Sequence, residues 1–118
     1  MIDQIKTLLS RDKNVRFAYL FGSYARGDAD EKSDVDLAVY LEECSFDIRL
    51  ELHHRLEKAL RRDVDLLCLN ELKNIYLLEK ILDEGIVVKD HPERDYFEVL
   101  KGHEIIDFKN FKRYIDAA

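Results

Sequence analysis

The sequence predicts an α+β (α/β) fold, a small mixed β-sheet flanked by helices. Three observations lead there. Short apolar runs with two-residue alternation or strand-like composition recur at 15–21, 35–41 and 63–69. The segments between and after them carry apolar residues at helical spacing. One Pro and four Gly occur in 118 residues, so turns are few and elements long. The resulting order, α-β-turn-β-α-β-α-β-α, makes a sheet with helices packed on it.

Residues 2–10 read as a helix with Ile2, Ile5, Leu8 and Leu9 on one face. VRFAYLF, 15–21, reads as a strand in which Val15, Phe17, Tyr19 and Phe21 alternate with Arg16, Ala18 and Leu20. VDLAVYL, 35–41, is a second strand. Val35, Leu37, Val39 and Leu41 share one face, and Asp34 and Asp36 take the other. Residues 46–62 form a helix with Ile48, Leu52, Leu56, Ala59 and Leu60 at helical spacing. DVDLLCL, 63–69, is a third strand. The next segment is a helix with Asn70 as N-cap and Gly85 just past its end. IVVK, 86–89, is a short strand, and Asp90-His91-Pro92 is a turn that suits a helix start. The last 25 or so residues are mostly helical, with Gly102 as the expected break between two helices. Tyr96, Phe97, Phe108, Phe111 and Tyr114 are expected mostly in the core. No linker, repeat or low-complexity tract is visible. The chain therefore reads as one domain, 1–118, with a core at about 15–90 and a C-terminal helical region at about 92–117.

A 47% hydrophobic content supports a core, and 37% charged residues keep the surface solvated. The net charge of -6 argues against direct nucleic-acid binding, which relies on neutralising phosphates with Lys and Arg. No apolar run approaches the length of a membrane span, and the N-terminal segment lacks the pattern of a signal peptide. Cys44 and Cys68 have no framework spacing and read as free thiols in a reducing cytosol, so a cytoplasmic location is expected.

The chemistry concentrates in LFGSYARGDADEKSDVDLAVYLEE, 20–43. Asp34 and Asp36 point to the same face, about 6–7 Å apart along a strand. Asp65 can lie beside Asp36 if the second and third strands are neighbours. Three carboxylates on one face resist ionising together, and divalent cations remove that conflict. Mg²⁺ suits a few carboxylates completed by water and substrate phosphates, and a pair of such ions suits an in-line displacement. Gly22 lets the backbone approach a ligand, and Ser23 brings a hydroxyl and an N–H to the start of a helical turn.

Gly22-Ser23, ten intervening residues, Asp34-Val35-Asp36 and a later Asp65 in an apolar strand resemble the pattern of the DNA polymerase beta nucleotidyltransferase superfamily. GSYARGDADEKSDVDL and DVDLLCL are similar, more narrowly, to the minimal nucleotidyltransferase (MNT) group. The resemblance covers roughly 15–90 and implies the polymerase beta-like fold and a nucleotidyltransferase activity. It implies that Gly22 and Ser23 grip the β- and γ-phosphates of a nucleoside triphosphate, ATP by family analogy. Asp34 and Asp36 would ligate magnesium, two ions in all. Asp65 would ligate the ion that activates the acceptor and would help take its proton. Arg26 matches a commonly basic position and would touch phosphate. Many MNT proteins are antitoxins paired with a HEPN-domain ribonuclease toxin. The resemblance thus implies transfer of AMP to a tyrosine of such a toxin, within a hetero-oligomer, silencing it. Two other outcomes stay open: an antitoxin acting by contact alone, and a small-molecule antibiotic acceptor. The last 25 or so residues leave little room for a drug-binding region.

Asp63 rivals Asp65 as third carboxylate, because both share a face by alternation; the family's VDL triplet favours Asp65. Ser33 reads as a turn residue. Arg49 and His54 have the spacing of a HEPN ribonuclease motif, but Leu50 follows the arginine where a polar residue is usual. His53, His54, Cys44 and Cys68 lack zinc-ligand spacing.

Overall fold

The computed structural model describes residues 1–117. Its elements are α1 (Ile2–Ser10), β1 (Val15–Phe21), α2 (Ser23–Arg26), β2 (Val35–Leu41), α3 (Phe46–Leu60), β3 (Val64–Cys68), α4 (Ile75–Glu84), β4 (Ile86–Lys89) and α5 (Pro92–Ala117). The strands make one mixed sheet in the order β3-β2-β1-β4. β1 runs antiparallel to β2 and β4, while β2 and β3 are parallel. Parallel neighbours need a long crossover, and α3 supplies it.

β1 is buried along nearly its whole length because its apolar residues point both ways. Ala18 and Leu20 join Val35, Leu37, Val39 and Leu41 in a core closed by Ile5 and Leu9 of α1 and Leu52, Leu56 and Leu60 of α3. Phe17, Tyr19 and Phe21 join Ala38 in a second core, closed by Leu78 and Ile81 of α4 and Phe97 and Ile105 of α5. Val15 sits in the first core, not with Phe17 as strict alternation predicts. Val15 faces Leu41 and Phe17 faces Tyr40, so Arg16 is an extra residue that bulges and reverses the alternation.

Asn70 does not cap α4. Asn74 does, its side chain accepting from the N–H groups of Tyr76 and Leu77. Asn70 instead acts as a strand peptide would: its Oδ1 accepts from Leu41 N at 2.9 Å and its Nδ2 donates to Leu41 O at 2.8 Å. The end of β2 is thereby satisfied by a side chain rather than left bare.

Gly102 does not break α5, which runs unbroken through it. A Cβ added there would meet nothing within 4 Å. Gly102→Ala should therefore stabilise the protein by about 0.5–1 kcal/mol, read as a higher urea midpoint at unchanged slope. The aromatic residues also depart from expectation. Phe97 is buried and Phe108 half-buried, but Tyr96, Phe111 and Tyr114 are 72%, 63% and 76% exposed. A helix of 26 residues is about 39 Å long and outruns strands of four to seven residues. Its distal part leans on α4, where Phe108 meets Tyr76 edge-on and Lys112 Nζ donates to Tyr76 Oη. Among the described residues no helix is long and apolar enough to cross a membrane.

Candidate active site

The topology gathers three chain segments at one end of the sheet. β1 ends where its antiparallel neighbour β2 begins, and β3 begins at the same end because it runs parallel to β2. Phe21 pairs with Asp36, and Asp36 pairs with Asp65. Asp36 shares its strand face with Ala38, so it looks toward the layer formed by α4 and α5.

β1 leaves the sheet through Gly22, whose backbone has φ 72° and ψ −152°. That region is open essentially to glycine alone. The approach is also close: a Cβ at Gly22 would stand 2.1 Å from Asp36 Oδ2. The turn therefore lies directly on the carboxylate. Ser23 starts α2, and its carbonyl accepts from Gly27 N and Asp28 N, with Gly27 closing the turn at φ 86°. Tyr24 and Ala25 pack on the first core and hold this turn in place.

Asp36 is half-buried, whereas Asp34 and Asp65 are exposed. Burial raises the pKa of Asp36 above its ordinary value, and the charges of Asp65 and then Asp34 raise it further. Arg26 and Lys80 pull it back. Asp36 is thus near enough to both other carboxylates to feel their charge. All-oxygen donors of this kind suit hard divalent cations. Among the described residues no three His, Cys, Asp or Glu side chains already stand in ligating geometry, and exposed Asp34 and Asp65 have room to rotate. Beside them an open cleft of about 580 Å³ is lined by Asp34, Asp63, Arg61, Arg62 and Lys32.

Residues 3–94 match the family described as polymerase beta, nucleotidyltransferase. The chain belongs to that family. It is an enzyme of the nucleotidyltransferase type, with the fold of that group. A candidate protein adenylyltransferase of Methanocaldococcus jannaschii is 37% identical over 97 residues, covering 74% of this chain and 97% of that one. The protein adenylyltransferase MntA of Shewanella oneidensis is 35% identical over 82 residues, covering 69% of this chain and 58% of that one. A crystal structure of a toxin-antitoxin with AMP-PNP superposes with a TM-score of 0.76 at 27% identity, covering 98% of this chain and 93% of its counterpart.

In this nucleotidyltransferase the sheet brings Gly22, Ser23, Asp34, Asp36 and Asp65 to one end. Asp65 is the residue in register with Asp36; Asp63 offers its backbone carbonyl to Val35 N at 2.9 Å and lines the neighbouring cleft. Arg26 is engaged with Asp28 at 3.3 Å and lies 3.9 Å from Glu84. Ser33 serves a turn, its Oγ accepting from Asp30 N at 2.9 Å. Arg49 and His54 do not pair: five positions apart on α3, they point about 140° apart, and Arg49 bonds Glu71 at 3.1 Å. Cys44 and Cys68 are free thiols; Cys68 Sγ donates to Asn70 Oδ1 at 3.2 Å, and burial, then the nearby Cys44, push Cys68 up to about 12. The sequence motifs do not single out Lys80, whose charge is felt at Asp36.

Proposed function

We propose that this nucleotidyltransferase transfers AMP from ATP to a tyrosine hydroxyl of a HEPN-domain ribonuclease toxin, and so acts as its cytoplasmic antitoxin. The observation that carries the reading is the Gly22 backbone lying against Asp36, with Asp65 in register beside it. Asp34, Asp36 and Asp65 would hold magnesium, two ions in all; bound there, it neutralises carboxylates and triphosphate and acidifies the acceptor hydroxyl.

The chain's own residues do the positioning. The Gly22–Ser23 turn offers N–H groups and the Ser23 hydroxyl to the β- and γ-phosphates, and Arg26 reaches the same tail. With the tail held, the α-phosphorus rests over Asp36. Asp65, on edge strand β3, orients the tyrosine hydroxyl and helps take its proton. The tyrosine oxygen bonds to the α-phosphorus, the bond to the bridging oxygen breaks, and pyrophosphate leaves. The product is a phosphodiester of AMP on tyrosine, and the proton passes through Asp65 to solvent.

A protein acceptor is favoured by α5. Its exposed Tyr96, Phe111 and Tyr114 form apolar surface of the kind that docks a partner, all past the end of the family match at residue 94. Phe111→Asp with Tyr114→Asp should weaken the toxin complex at least about tenfold by calorimetry while leaving Mg-ATP binding unchanged. The adenylyltransferase names of the relatives and the toxin-antitoxin match support the same partner. The deciding experiment is intact mass spectrometry of the toxin after incubation with this protein, Mg²⁺ and each nucleoside triphosphate in turn. Addition of AMP that is lost with Asp36→Ala is expected. A stable complex with no added mass would instead favour silencing by contact, and neither complex nor addition would favour a small-molecule acceptor.

A further inference from the structure

We infer that Lys80 of α4 is a binding residue for the triphosphate tail, holding the pyrophosphate portion from the α4 side. This rests on the nucleotidyltransferase reading above. Leu78 and Ile81 anchor α4 on the sheet face that carries Phe21 and, by alternation, Asp36. Leu77, Lys80 and Glu84 form the adjoining ridge of the helix, at i, i+3 and i+7. Glu84, one turn beyond Lys80, lies 3.9 Å from Arg26 of α2. The ridge therefore runs along the Gly22–Arg26 turn, where the tail has to lie. Lys80 is also near enough for its charge to be felt at Asp36.

Charge balance decides between a phosphate contact and a solvated surface lysine. A nucleoside triphosphate brings several negative charges to an end of the sheet that already holds three carboxylates. Arg26 is shared with Asp28 and Glu84. Lys109 and Lys112, which reach α4 from α5, are taken by Glu79 and Tyr76. Among the described residues Lys80 has no ion-pair partner, so its ammonium is free for an incoming phosphate. The four-carbon stem gives that ammonium reach toward the turn.

The test compares full-length wild type, Lys80→Ala and Lys80→Arg by calorimetry with Mg-ATP and with AMP, alongside transfer kinetics. Lys80→Ala should weaken Mg-ATP binding about 10- to 100-fold and leave AMP binding unchanged. Lys80→Arg should restore most of the affinity. Unchanged Mg-ATP binding by Lys80→Ala, or equal losses for ATP and AMP, would overturn this inference alone. Failure of the wild type itself to bind Mg-ATP would overturn the parent reading and this one with it.

Discussion

Asp36→Asn should abolish nucleotidyl transfer and, in the ligand-free protein at neutral pH, raise the thermal midpoint. The two effects have one origin. Asp36 is partly withdrawn from water and faces the charges of Asp65 and Asp34. Its ionised form is therefore costly until cations arrive. Asparagine keeps the shape and removes the charge. Activity should fall at least about a thousandfold, as for loss of a charge that the transition state requires. The pH dependence fixes the sign. The folded pKa of Asp36 lies above its ordinary 3.8, so its contribution to stability is fully present below 3.8 and is lost as pH rises through the folded value. The advantage of asparagine should then be smaller at about pH 4 and larger at about pH 8. Each kcal/mol relieved moves the midpoint by about 4 °C in a chain of this size. Mg-ATP reverses the order. At about a hundred times its Kd it adds about 2.7 kcal/mol to wild type, roughly 10 °C, and little to the variant. Scanning fluorimetry at both pH values, with and without Mg-ATP, reads all four states. A variant less stable than wild type at pH 8 without ligand would mean that the Asp36 carboxylate is structural, and the charge argument would fail.

Elements whose signal is local were legible in the sequence. β2 shows this: Val35, Leu37, Val39 and Leu41 alternate strictly and all lie in one core. The site motif was legible for the same reason, since Gly22-Ser23 follows β1 directly and Asp34-Val35-Asp36 opens β2, with only α2 and a short loop between them. What failed depends on partners distant in sequence. Arg16 bulges because β1 must satisfy β2 and two cores at once, and no periodicity within seven residues announces that. Asn70 looked like a cap because caps and strand ends use the same amide chemistry. Only the position of Leu41 decides between them. Gly102 looked like a breaker, but about 1 kcal/mol against helix is easily outweighed by burial of Phe97 and Ile105 on either side. Lys80 was invisible because its meaning lies in which helix flank meets α2, a property of packing.

Gly22→Ala should cost both stability and activity, and the two losses should be coupled to Asp36. Alanine at φ 72°, ψ −152° pays about 1–3 kcal/mol of backbone strain wherever it occurs. Its methyl would also fall 2.1 Å from Asp36 Oδ2, a separation no pair of unbonded atoms tolerates. Either the turn lifts or the Asp36 side chain rotates away. Both outcomes separate the phosphate-holding turn from the carboxylate, so transfer should drop at least about a hundredfold, the scale set by a misplacement of about 1 Å. The Asp36→Ala background isolates the steric part. There the carboxylate is gone and the nearest remaining Asp36 atom, Cβ, lies 3.3 Å from the new methyl. Gly22→Ala should then destabilise less than it does in wild type, with a coupling of about 0.5–3 kcal/mol in urea unfolding. Additive losses would mean that Gly22 is required for its backbone angles alone. Coupled losses would mean that glycine is required here because the turn must rest on the carboxylate, the contact on which the proposed chemistry depends.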